Sequence, residues 1–113
     1  MTDALTVIDM VTEAHDTALE KGWWNDKEAL NIPEKLALIH SEVSEALEAY
    51  RTGDMKISHD KDGKPDGFPV ELADVLIRIA DLCGYLNIDL EYAVLLKMAY
   101  NKTRPFRHGG KRA

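Results

Sequence analysis

The chain contains one cysteine, Cys83, so no disulfide can form within it, and a reducing compartment, the cytoplasm, is the simplest reading. Cys83 falls in an apolar helical pattern, where a thiol packs as a small hydrophobe. No apolar run reaches the roughly 18 residues that a membrane-crossing helix needs. The opening MTDALTVIDM has early acids, no basic region and no continuous apolar stretch, so a secretory leader is not expected. Basic residues are the minority, 14 Lys and Arg against 20 Asp and Glu, for a formal charge of -6. Such a field repels a nucleic-acid backbone unless cations gather on one face, and no basic stripe precedes residue 97. Neither nucleic acid nor membrane is an expected partner.

A length of 113 residues with 45% hydrophobic content suits one domain with a modest core. The pattern divides into residues 1–105, an all-α domain, and residues 106–113, a basic glycine-containing tail. Leu5, Ile8, Val11, Ala14 and Ala18 recur at helical steps, with Thr2 or Asp3 available as a cap and Gly22 as the stop. Asn31, Pro33 and Glu34 read as a capping box that opens a second helix, expected to run to about Thr52. Its apolar seam is Leu36, Ile39, Val43, Leu47 and Tyr50. The segment GDMKISHDKDGKPDGFP, residues 53–69, is rich in glycine, proline and charge and reads as a long loop of the size used for lids and binding loops. Its Asp60, Asp62 and Asp66 lack the spacing and terminal glutamate of a calcium loop. A third helix is expected from Pro69 to about Leu86 and a fourth, capped by Asp89, to about Thr103. The expected architecture is an antiparallel bundle of about four helices. Apolar residues on several helix sides predict completion by subunit association.

Two acidic pairs carry the chemistry. Glu42 and Glu45 are three apart on the second helix, and Glu71 and Asp74 repeat that spacing on the third. Residues so spaced share a helix side and stand close enough to share a cation. A single ExxE is ordinary on a surface helix, because glutamate is a good helix former. Two matching pairs beside apolar seams are less ordinary. Carboxylates driven together raise one another's pKa values, and a hard cation removes the conflict. Magnesium takes oxygen ligands and leaves room for substrate phosphates, and manganese suits the same oxygen-rich site. A di-iron bundle would carry Glu-x-x-His motifs, which neither pair provides.

The strings EKLALIHSEVSEALEAYR, ELADVLIRIADLCGYLNIDL and KMAYNKTR together resemble the MazG-like branch of the all-alpha nucleoside triphosphate pyrophosphohydrolases, over about residues 30 to 105. The resemblance implies magnesium held by Glu42, Glu45, Glu71 and Asp74. It further implies hydrolysis of a nucleoside triphosphate, expected to be a deoxyribonucleotide, to the monophosphate and pyrophosphate, clearing unwanted nucleotides from the pool. Lys97, Asn101 and Arg104 match the family's polar positions near the end of the last helix and look like phosphate contacts, with Lys35 a further one. Relatives form homodimers or dimers of dimers. The chain departs from the pattern at Ala99, where some relatives carry an acid, and at Asp81, which is extra and is expected either to extend the metal site or to receive Arg78 or Lys97.

Glu42 or Glu45 is the expected water-orienting catalytic group, since phosphoryl transfer needs positioning and charge more than a side-chain nucleophile. Trp23 and Trp24 are candidate base-binding residues, offering a flat wall on which any base can stack. The competing reading is a non-catalytic helical oligomer that binds a nucleotide or a protein.

Overall fold

A computed structural model describes residues 4–25 and 31–106. It contains four helices, α1 Val7–Glu20, α2 Ile32–Arg51, α3 Phe68–Leu86 and α4 Leu90–Lys102, and a hairpin of two-residue strands, β1 Ser58–His59 and β2 Pro65–Asp66. The class is all-α. No helix among the described residues is long and apolar enough to cross a membrane.

The first helix starts later than its periodicity suggests, because Thr6 supplies the cap. The Asp9 amide donates to Thr6 Oγ1 at 3.0 Å and the Thr6 amide to Asp9 Oδ2 at 3.3 Å, a reciprocal box that satisfies two otherwise free donors. Thr2 and Asp3 lie outside the described residues. Asn31 caps α2 by accepting from the Glu34 amide at 3.1 Å, with proline in the first turn. Asn87, in the left-handed region at φ 60°, ends α3, and the Ile88 amide closes that end on the Cys83 carbonyl at 2.9 Å. Asp89 then caps α4 through the Tyr92 amide at 3.0 Å.

At the centre lies α3. Both α1 and α2 pack on it, and α4 packs on α1. The Glu42–Arg78 pair and a cavity that joins Lys35 to Leu82 run α2 antiparallel to α3, and the His15–Asp81 pair with a cavity that joins Ile8 to Asn87 and Ile88 runs α1 the same way. The core holds Ala18, Trp24 and Leu82, with Ile32 and Ile39 against it. Gly84 lets α1 approach closely, because a Cβ there would stand 2.5 Å from the His15 Cβ.

The α2 seam expected from periodicity faces outward in the single chain. Leu36, Val43, Leu47 and Tyr50 are exposed, and the residue that α2 buries is Ala46. The stripe through Ile32, Ile39 and Ala46 meets α3, and a smaller residue allows that contact. Tyr92, Leu95, Leu96, Met98 and Tyr100 are likewise exposed along α4.

The long segment after α2 is more ordered than its composition suggests. Asp60 Oδ1 accepts from the Asp62 and Lys64 amides at 2.8 and 3.0 Å, an Asx turn that reverses the chain and sets Ser58 opposite Asp66. These bonds hold the Asp60 carboxyl below its ordinary range. The Phe68 amide donates to the Asp54 carbonyl at 2.8 Å, so the chain returns to the point where it left α2. At Gly67, φ is 116° and a Cβ would run into the Lys56 carbonyl oxygen, which leaves only glycine at this closure.

Candidate metal and nucleotide site

Because α3 begins beside the end of α2, the two acidic pairs come face to face. Carboxylate oxygens of Glu42, Glu45 and Glu71 lie within 4.8 Å of one another. Asp74, one turn further along α3, stands outside that closest group but within electrostatic reach of Glu42 and Glu45. Glu71 sits in the first turn of α3, where the helix dipole favours a negative charge. Desolvation and crowding nevertheless prevail. Partial burial, and then the charges of Asp74, Glu45 and Glu42, push the Glu71 carboxyl upward from 4.5. Hydrogen bonding to Glu42, and then its charge, raises Glu45 from the same value. Burial followed by the Glu42 charge raises Asp74 above 3.8.

The cations nearby are too few to quench this cluster. Arg78 Nε donates to Glu42 Oε1 at 2.6 Å in a part-buried pair, and its charge draws Asp74 and Glu45 down only in part. Lys64, from β-hairpin residues that the sequence reading passed over, has the same lowering effect on Glu71 and Asp74. Its position depends on the closure of the 53–69 segment, a three-dimensional feature with no periodic signal. An oxygen-only donor set on two facing helices, with protonation favoured by burial and mutual repulsion, is the chemistry that a hard divalent cation fits.

Arg78 links the acidic cluster to a cavity of about 260 Å³ lined by Trp23, Trp24, Lys35, Arg78, Asp81 and Leu82. The two tryptophans differ. Trp23 is 51% exposed, with the Arg78 guanidinium 6.0 Å from its ring centre. Trp24 is 6% exposed, and it stacks on Tyr85 at 4.1 Å with the rings 4° from parallel. Lys35 Nζ lies 4.5 Å from the Trp24 ring centre. Trp24 is therefore a core residue whose rim meets the cavity rather than a free wall, and Tyr85 is the partner that sequence reasoning missed.

Asp81 does not join the acidic cluster and pairs with neither Arg78 nor Lys97. Its Oδ1 accepts from Trp24 Nε1 at 2.9 Å and from His15 Nδ1 at 2.8 Å. On α4, Lys97 Nζ lies 5.0 Å from the Tyr100 ring of its own helix, and Arg104 stands past the Thr103 cap, its amide on the Asn101 carbonyl at 3.2 Å. Among the described residues, no side-chain bond or ion pair joins Lys97, Asn101 or Arg104 to the acidic cluster, and α4 packs on α1 rather than on α2. Lys35 is the one expected phosphate contact that lines the cavity.

No protein family, curated protein or solved structure matches the chain.

Proposed function

We propose that the protein is a magnesium-dependent nucleoside triphosphate pyrophosphohydrolase, in line with its resemblance to the MazG-like enzymes. One observation carries the reading: three carboxylates from two helices converge within 4.8 Å beside a cavity with an aromatic rim and two cations. Glu42, Glu45, Glu71 and Asp74 would hold magnesium, which supplies positive charge to the phosphates and lowers the cost of charge build-up in transfer. Glu45 is the most exposed member of the convergent group, and Glu42 beside it raises its carboxyl above the ordinary 4.5. It orients a water in line with the α-phosphorus and accepts a proton at its carboxylate. The water oxygen bonds to that phosphorus, the bond to the bridging oxygen between the α and β phosphates breaks, and pyrophosphate leaves.

Arg78, bonded to Glu42, grips the phosphate-bearing part of the ligand, Lys35 lies over the Trp24 ring on the side of the base, and Trp23 and the rim of Trp24 flank the base. Lys97, Asn101 and Arg104 reach the phosphates of a neighbouring copy in a homodimer or dimer of dimers. The exposed apolar residues of α2 and α4 support such an assembly. The proposed setting is the cytoplasm.

The test incubates the purified protein with magnesium and a panel of ribo- and deoxyribonucleoside triphosphates and resolves the products. Monophosphate with pyrophosphate is expected, and its loss in Glu45→Ala and Asp74→Ala. Diphosphate with orthophosphate, or equal turnover in both variants, rejects the reading, and no turnover of any nucleotide favours the binding module.

A further inference from the structure

The buried carboxylate of Asp81 lines the cavity and takes no part in the acidic cluster. Its residue is 9% exposed. One oxygen, Oδ1, is saturated by Trp24 Nε1 and His15 Nδ1, and both are held in place by the core, Trp24 through Tyr85 and His15 through its fit against Gly84. The other oxygen, Oδ2, has no protein donor among the described residues. No buried side-chain polar atom there lacks a partner, so Oδ2 is not sealed from solvent, and Asp81 lines the cavity. A carboxylate fixed by two donors on one side thus presents a free acceptor on the other.

Lys35, with Nζ over the Trp24 ring, lines the same cavity as a pure donor. With Arg78 engaged by Glu42, the cavity offers the Asp81 acceptor and the Lys35 donor to the edge of a flat ring. An amino-bearing base matches that pair, since its exocyclic NH2 donates and the neighbouring ring nitrogen accepts. Its oxo counterpart reverses both groups, setting a carbonyl oxygen against Oδ2 and a ring N–H against the ammonium. About 10 Å of α3 separates Asp74 from Asp81, at ~1.5 Å per residue, a distance that a sugar and its first phosphates span.

We propose that Asp81 is a specificity-determining residue that selects nucleotides with an exocyclic amino group, cytosine and adenine, over their oxo counterparts, uracil and hypoxanthine. This rests on the nucleotide reading above for its ligand class, not on turnover. Sites built to pair a ligand's polar groups reject analogues that lack them far more strongly than apolar pockets do.

The experiment titrates CMP against UMP, and AMP against IMP, by tryptophan fluorescence without metal, and in parallel compares rates for CTP, UTP, ATP and ITP with magnesium. The amino member of each pair is expected to bind roughly 10- to 100-fold more tightly. Asp81→Asn retains an oxygen for Trp24 and His15 but turns an amide NH2 toward the cavity, and should abolish or invert the preference. Equal affinities within each pair in the unmodified protein overturn the proposal, whether or not the variant folds. An undiminished preference in a folded Asp81→Asn protein also overturns it. Pyrophosphate release with no amino preference removes this inference and leaves the hydrolase. Amino-selective binding without turnover supports it and removes the hydrolase.

Discussion

The two ends of the α2–α3 region both hold carboxylates, in opposite conditions. At the outer end Glu42, Glu45 and Glu71 face one another with, among the described residues, Arg78 and Lys64 to offset them. At the inner end Asp81 stands alone, its charge met by an indole and an imidazole N–H. The first arrangement gains from a divalent ion. The second tolerates burial because hydrogen bonds from the fold replace water at one of its oxygens. Acidic residues that look alike in a sequence are thus sorted by their neighbours into those suited to holding an ion and those suited to holding shape.

The sharpest way to break this contrast is to remove one acid from each end. Glu45→Ala or Asp74→Ala is expected to reduce pyrophosphate release by roughly 10²–10³-fold while leaving the thermal midpoint without metal equal or higher, because repulsion is relieved. A product assay and a melting curve on the same samples check both halves. At the inner end the large effect is on stability. Trp24→Ala removes a stacked core ring and the Asp81 donor together, and should cost about 3–5 kcal/mol in denaturant unfolding.

A pH series sharpens the contrast further. Glu45, Glu71 and Asp74 are raised above their ordinary 4.5, 4.5 and 3.8 in the folded chain, so the folded state retains protons that the unfolded chain releases. Their contribution to stability is therefore fully present below those ordinary values and is lost as pH climbs through the raised folded ones. Magnesium binds the ionised form and should raise the melting temperature more at about pH 7.5 than at about pH 5. In Glu45→Gln the metal-free decline with pH should flatten, and an unchanged slope would dissociate the cluster from it. The smallest expected effect lies away from both ends, where Thr6→Ala loses the α1 cap at a cost of about 1 kcal/mol without altering the magnesium response.

The helices were legible because capping and periodicity are local. Asn31, Gly53, Asn87 and Asp89 each mark an end that the structure places within a residue or two of its expected position. The convergence of Glu42, Glu45 and Glu71 was legible for a related reason, since equal spacing on two antiparallel helices brings like to like. What burial selects was less visible. Periodicity proposed Val43, Leu47 and Tyr50 for the interior, whereas Ala46 fills it, because a close helix contact favours small residues that a hydrophobicity count ranks low. The pairing of Asp81 with His15 and Trp24 spans 66 and 57 residues, and no local pattern announces contacts of that range. Lys64 escaped notice because the hairpin that carries it depends on a single Asx turn.

The hydrogen bond from the Phe68 amide to the Asp54 carbonyl ties the 53–69 excursion at its base, so the alignment of Glu45 with Glu71 is set there rather than at the tip. Residues 60–63 can accordingly be lengthened, or exchanged for a reporter peptide, without sliding one helix past the other. The hairpin thus offers a mounting point from which events at the carboxylates can be watched by a probe that does not touch them.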